Sequence, residues 1–129
     1  IIYADNLTNI NLEKMIEFHH LKNSCFTIGT FYTNRPKECG IIETDNNHKV
    51  ISFEEKPDSP KSNHANAGIY IVNKKMLSYF EDPFIMDIGK DILPKLENVM
   101  YGYPIKEYLK DIGTMDNYTM ANNEFTGLV

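Results

Sequence analysis

Two distant aspartates and one Glu-Lys-Pro triplet carry most of the chemistry this sequence offers. Asp5 follows the apolar run Ile1-Ile2-Tyr3-Ala4, which reads as the end of a strand buried on both faces. A strand ending in Asp puts a carboxylate at the carboxyl edge of a sheet, where open α/β sheets bind ligands. Asp111 precedes Ile112-Gly113-Thr114, and that glycine lets a backbone or a phosphate come close. Taken singly, each aspartate also fits an ordinary cap or turn. Brought together, the pair can hold Mg²⁺, a hard ion that takes one or two carboxylates, waters and phosphate oxygens.

Glu55-Lys56-Pro57 is the most specific short motif. Lys56 is a point charge with three donors, suited to a phosphate, and Glu55 offers acceptors to sugar hydroxyls. Neighbours in a strand point to opposite faces, so the two share a site only where the strand ends or twists. Pro57 supplies such an end, because it cannot continue a ladder. The tripeptide alone reads as a solvated charge pair at a strand end. Gly40 opens a strand and Gly68 sits inside one, both positions of close approach or of a bulge. Asn66 gives and accepts hydrogen bonds in one plane, which suits vicinal hydroxyls, and it also fits a turn. His19-His20 does not read as a metal site, because adjacent helical residues diverge. Tyr101 and Tyr103 read as the core and edge of a strand.

These residues must be positioned by alternating strands and helices. Asn9 or Asn11 can cap a helix over roughly residues 11–22, where Leu12, Met15, Ile16 and Phe18 or His19 recur at helical spacing. Residues 25–33 read as a strand, broken by Arg35-Pro36. Residues 40–43 and 50–53 read as a hairpin around Asp45-Asn46-Asn47-His48. Residues 57–64 read as an exposed loop and 67–72 as a strand. Short helices are expected at 74–80 and 86–93, the second ended or kinked by Pro94. Strands follow at 99–103 and 105–109, and Thr114 can cap a last helix reaching about Glu124. Such interleaving favours an α/β fold with a sheet covered by helices.

The chain has 129 residues, enough for one domain with a real core, so residues 1–129 are expected to form a single domain. A net charge of −5 without a Lys/Arg cluster argues against a nucleic-acid partner. No apolar run approaches membrane-spanning length, so no membrane partner is expected. Cys25 and Cys39 lack metal spacing and suit a reducing, cytoplasmic setting as small buried hydrophobes.

In order along the chain stand Asp5-Asn6-Leu7, Cys39-Gly40-Ile41-Ile42, Phe53-Glu54-Glu55-Lys56-Pro57, Asn66-Ala67-Gly68-Ile69-Tyr70 and Asp111-Ile112-Gly113-Thr114. Together they resemble the sugar-phosphate nucleotidylyltransferases, with mannose- or heptose-1-phosphate guanylyltransferases and glucose-1-phosphate thymidylyltransferases the nearest in pattern. Asp87-Ile88-Gly89-Lys90-Asp91-Ile92-Leu93-Pro94 and Met100-Tyr101-Gly102-Tyr103 also resemble later segments of that family. The resemblance runs from Asp5 to about Ala121. It implies a Rossmann-like α/β fold with a mixed, mainly parallel sheet flanked by helices. It implies a sugar 1-phosphate and a nucleoside triphosphate as substrates, and Mg²⁺ held by Asp5 and Asp111. By the same resemblance Glu55 binds sugar hydroxyls, Lys56 binds the sugar phosphate, and Gly40, Asn66 and Gly68 line the sugar site.

The family's glycine-rich basic loop, which grips the triphosphate, has no counterpart in this sequence. The chain, which opens on Ile1 in what reads as mid-strand, is therefore expected to be the sugar-side and metal-binding portion of an enzyme, inactive alone. Apolar surface left open near Ile1-Ile2-Tyr3 would favour self-association as a homo-oligomer. A non-catalytic sugar-phosphate-binding or regulatory remnant is the alternative. A glycosyltransferase of related architecture would call for an Asp-x-Asp triplet, and no two aspartates here are spaced by one residue.

Overall fold

The computed structural model describes residues 1–81, 83–85 and 87–125. A five-stranded sheet forms its centre. In chain order the elements are β1 (Asn6–Thr8), α1 (Leu12–Leu21), β2 (Phe26–Tyr32), β3 (Gly40–Thr44), β4 (Val50–Glu55), β5 (His64–Val72), β6 (Tyr101–Pro104), β7 (Leu109–Asp111) and α2 (Met115–Glu124). The sheet order is β4-β3-β5-β2-β6, while β1 and β7 form a separate two-stranded ribbon.

The sheet is mixed and flanked by helices, as expected, but it is not mainly parallel. Among the described residues only β2 and β6 pair in parallel; β2–β5, β3–β4 and β3–β5 are antiparallel. The hairpin chemistry at Asp45–His48 accounts for one of these. Asp45 Oδ1 accepts from the amides of Asn47 and Lys49 at 2.8 Å each, which closes the tight return that parallel strands cannot use. The hairpin tip then reaches the far edge of the sheet, where Lys49 bridges Tyr101 and the Gly102 amide donates to the His48 carbonyl at 2.8 Å. The sheet therefore curls until its two edges meet at one corner.

Helix α1 starts where Asn11 caps it, accepting from the Lys14 amide at 3.1 Å. Its buried positions are Met15 and His19, four residues apart on one face. Met15 joins Ala67, Ile69 and Ile105 on one side of the sheet. On the other side Phe26, Ile28, Ile42, Phe53 and Tyr70 pack against Ile92, Leu93, Leu96 and Met100. Full burial of one such side chain contributes about 1.5–3 kcal/mol.

Several elements differ from expectation. Ile1–Tyr3 is not a strand buried on both faces. The segment lies antiparallel beside β5, with the Tyr70 amide donating to the Ile1 carbonyl at 2.8 Å and the Tyr3 amide to the Gly68 carbonyl at 3.0 Å. Ile1 and Ile2 are 49% and 48% exposed. The expected strand at 105–109 shrinks to β7, because Ile105 is instead tied to the Thr30 carbonyl and only Leu109–Asp111 pair with β1. The expected helix at 86–93 is a π-type turn at Ile88–Ile92 followed by a 3-10 turn at Leu93–Leu96 with Pro94 in its first turn; Met86 lies outside the described residues. The segment Lys74–Phe80 is 3-10 rather than α-helical. Pro57 is buried within an otherwise exposed loop. Both cysteines are free and half-buried rather than fully buried.

Candidate sugar-phosphate and metal site

The residues assigned to the sugar-phosphate and metal site meet in one place. Asp5, Gly40, Glu55, Lys56, Asn66, Gly68 and Asp111 all line a cleft of about 930 Å³. Its walls come from the β1–β7 ribbon, the end of β4, the bulged middle of β5, the Asp87–Gly89 turn and α2.

The ribbon brings the two aspartates together. Asn6 stands opposite Asp111, and the Ile112 amide donates to the Asp5 carbonyl at 2.8 Å. Asp111 Oδ1 accepts from the Gly113 amide at 2.6 Å. A Cβ placed on Gly113 would lie 3.0 Å from Asp111 Oδ1 and 3.1 Å from Asp5 Oδ2. The two oxygens therefore lie within twice that distance of each other, over a glycine whose missing side chain leaves the space free. Both carboxylates are exposed. Among the described residues no three His, Cys, Asp or Glu side chains gather closely enough to hold a metal alone. Two hard oxygen donors with room for waters and a phosphate fit Mg²⁺ rather than a closed, all-protein site.

Lys56 ends β4 with φ +47°, in the left-handed region, and its amide donates to the Cys39 carbonyl at 3.1 Å. A non-glycine residue there costs on the order of 1 kcal/mol. That turn of the backbone lets Lys56 share the cleft with its neighbour Glu55 despite strand alternation. The exposed Lys56 ammonium makes no ion pair among the described residues.

Glu55 is held between two glycines. A Cβ on Gly40 would lie 2.6 Å from Glu55 Oε2, and one on Gly89 would lie 2.7 Å from the same oxygen. Partial burial pushes the Glu55 carboxyl above the usual carboxylate range, and the Asp87 carboxylate adds to the rise, against the pull of Lys56 and Lys90.

The bulge in β5 presents Asn66 and Gly68. Ile28 pairs with Tyr70 but Thr30 with Asn66, so β5 carries extra residues between them, and Gly68 takes φ +68°. Gly68 makes room for Tyr3, whose ring would lie 2.6 Å from a Cβ there. Asn66 accepts from the Gly68 amide and donates to the Tyr70 hydroxyl, each at 2.9 Å. Tyr70 in turn donates to the Tyr3 hydroxyl at 3.1 Å, which leaves Tyr3 its own proton to offer the cleft. Burial pushes the Tyr70 and Tyr3 phenols up, so both stay protonated.

Sequence reasoning gave no role to Asp87, Gly89, Tyr3, Lys110 or Glu124, all of which lie in or against the cleft. Asp87 and Gly89 stood within a noticed motif, but nothing in the sequence puts that turn beside Glu55. Cys39 also lines the cleft; burial pushes its thiol up, which makes it a poor nucleophile. His19 is engaged with Thr27 Oγ1 at 2.8 Å, away from this cleft.

The family model described as nucleotidyl transferase matches residues 1–127. The chain belongs to the nucleotidyl transferase family. It is 38% identical over 133 residues to a glucose-1-phosphate adenylyltransferase of Clostridium botulinum (strain Alaska E43 / Type E3), a match covering 95% of this chain and 34% of the relative. A glucose-1-phosphate adenylyltransferase of Fusobacterium nucleatum is 37% identical over 134 residues, covering 95% of this chain and 35% of the relative. The chain spans about a third of the length of the curated relatives it matches. Among solved structures, one described as a Bacillus anthracis glucose-1-phosphate thymidylyltransferase in complex with sucrose superposes with a TM-score of 0.78 at 24% identity. That match covers 95% of this chain and 52% of the other, and it shows the shared fold. No helix of the described residues is long and apolar enough to cross a membrane.

Proposed function

We propose that residues 1–129 are the sugar-phosphate-binding and metal-binding portion, in one domain, of a sugar-1-phosphate nucleotidyltransferase. The parent reaction is in-line attack by a sugar-1-phosphate oxygen on the α-phosphorus of a nucleoside triphosphate. It yields a nucleoside-diphospho-sugar and releases pyrophosphate. The names of the relatives favour glucose 1-phosphate as the sugar substrate. The observation that carries this reading is the convergence of Asp5 and Asp111 on Gly113, in the same cleft as Glu55 and Lys56.

In this reading Asp5 and Asp111 hold Mg²⁺, which when bound neutralises charge on phosphate oxygens. Lys56 takes the sugar phosphate as a point charge. Glu55, fixed between Gly40 and Gly89, accepts from sugar hydroxyls. The Asn66–Tyr70–Tyr3 chain holds a phenol proton ready for another hydroxyl. No protein nucleophile takes part, in keeping with the protonated Cys39 thiol. Positioning and charge neutralisation account for the rate.

Amide chemical-shift mapping tests this. Titration of the chain with glucose 1-phosphate and Mg²⁺ should move the Gly40, Lys56, Gly68 and Gly113 resonances together. Shifts confined to residues outside the cleft would overturn the assignment.

A further inference from the structure

The cleft is lined by more carboxylates than cations, yet on the reading above it must receive a phosphate dianion. Besides Lys56, its cations are Arg35 and Lys110, and each is paired. Arg35 meets Glu38 at 3.7 Å on open surface. Lys110 is different. It follows Leu109 and precedes Asp111 in β7, so the ribbon that carries the metal-binding carboxylates also carries this ammonium. Its side chain is 20% exposed, and its Nζ donates to Glu124 Oε2 at 2.5 Å. The Tyr108 hydroxyl donates to the same oxygen at 3.3 Å. Glu124 sits at the last turn of α2 and is about half exposed.

A carboxylate in that setting holds a lysine weakly. Glu124 is half in water, so solvent screens its hold on Lys110 even though the lysine side chain is mostly covered. A phosphate monoester offers up to two charges and more acceptor oxygens than a carboxylate. The lysine stem is flexible, and Lys110 lines the same cleft as Lys56.

We propose that Lys110–Glu124 is an exchangeable pair. Glu124 holds Lys110 at the rim while the cleft is empty, and Lys110 passes to the phosphate of the sugar phosphate when it binds. Lys110 is then the second cation of the phosphate subsite beside Lys56, and Glu124 is a competitor that the phosphate displaces. This rests on the site assignment above.

Calorimetric titration of the 129-residue chain with glucose 1-phosphate in Mg²⁺ tests it, with thermal melts confirming that each variant folds. Removing the competitor in Glu124→Gln should tighten binding about three- to fivefold, the effect of losing one solvent-screened competitor. Lys110→Met should weaken binding by a similar factor, Lys110→Arg should restore it, and methyl α-glucoside, which lacks the phosphate, should bind all variants alike. A purely structural tie would give unchanged or weaker binding in Glu124→Gln, and that result overturns the exchange. A second readout needs no variant: the side-chain carboxyl carbon resonance of Glu124 should move on titration, and a static resonance overturns the proposal. If wild type binds and Lys56→Ala abolishes binding while Glu124→Gln changes nothing, only the exchange fails. If wild type does not bind glucose 1-phosphate at all, the site assignment fails and the exchange with it.

Discussion

Asp5 and Asp111 stand at opposite ends of the chain and point their carboxylates over the same glycine, Gly113. The ribbon formed by β1 and β7 makes this meeting possible, because it sets Asn6 directly opposite Asp111. A third side chain at Gly113 would fill the space between them. The arrangement costs the fold little, since both carboxylates remain in solvent.

The backbone at Lys56 gives a first prediction. Because φ is +47° there, Lys56→Gly should be as stable as wild type or up to about 1 kcal/mol more stable. Lys56→Ala keeps the strain and should show no such gain. Both should lose affinity for sugar phosphate, and in the complete enzyme Lys56→Ala should raise KM for sugar 1-phosphate and lower kcat. Urea unfolding and steady-state kinetics read the two effects separately. Unchanged kinetics for that substrate would return Lys56 to the role of a solvated charge.

The packing around Glu55 gives a second. In Gly40→Ala the new methyl would approach Glu55 Oε2 to 2.6 Å and Phe53 Cζ to 2.7 Å. Phe53 is buried and cannot easily give way, so the substitution should destabilise the fold by about 1–3 kcal/mol. It should also weaken sugar binding by displacing the carboxylate. Thermal unfolding with the wild-type melting temperature would show that the two contacts relax freely.

Glu55 also sets a pH dependence. Burial, with Asp87 behind it, raises its carboxyl in the folded state above its unfolded value. The folded protein therefore holds this proton more tightly. The contribution to stability is fully present below the unfolded pKa and is lost as pH rises through the folded one. Glu55→Gln should abolish this loss and be more stable than wild type at neutral pH, while binding sugar less well because the ionised acceptor is gone. Denaturant midpoints for both proteins across the acid range measure it; a wild-type midpoint that rises with pH through that window, relative to the variant, would contradict it.

Much of this was legible in the sequence where the signal is local. The α1 cap, which falls on Asn11 of the two candidates Asn9 and Asn11, the Asp45–His48 turn and the Thr114 cap of α2 each rest on one side chain bonding a nearby amide, and each forms. The cleft residues were legible as motifs in order, although nothing in their spacing required them to meet. What failed depends on tertiary neighbours. Ile1–Tyr3 reads as a strand buried on both faces, yet it lies along one edge of β5 and leaves Ile1 and Ile2 half exposed, the open apolar surface also expected there. The mainly parallel sheet that the family resemblance implies does not form here, because β3, β4 and β5 return antiparallel. Asp87 stayed without a role because its closeness to Glu55 arises from a π-type turn that no local pattern announces.

The chain alone should make no nucleotide sugar. Its sequence holds no glycine-rich basic stretch, and the cleft offers few cations to a triphosphate. Losing a single charge-stabilising donor typically costs an enzyme about a hundredfold or more. A pyrophosphate assay with Mg²⁺, a panel of nucleoside triphosphates and sugar 1-phosphates should read background. Turnover at enzyme-like rates would mean that residues outside this account hold the triphosphate.

The central claim is that one cleft holds both the metal and the sugar phosphate. Crystals of the chain grown with glucose 1-phosphate and Mn²⁺, an anomalous scatterer that takes the same oxygen ligands as Mg²⁺, test it most directly. An anomalous peak should appear between Asp5 and Asp111, with the phosphate within reach of Lys56 and the sugar hydroxyls against Glu55. A metal bound elsewhere, or a sugar phosphate seated away from Lys56 and Glu55 with the aspartates empty, would contradict it.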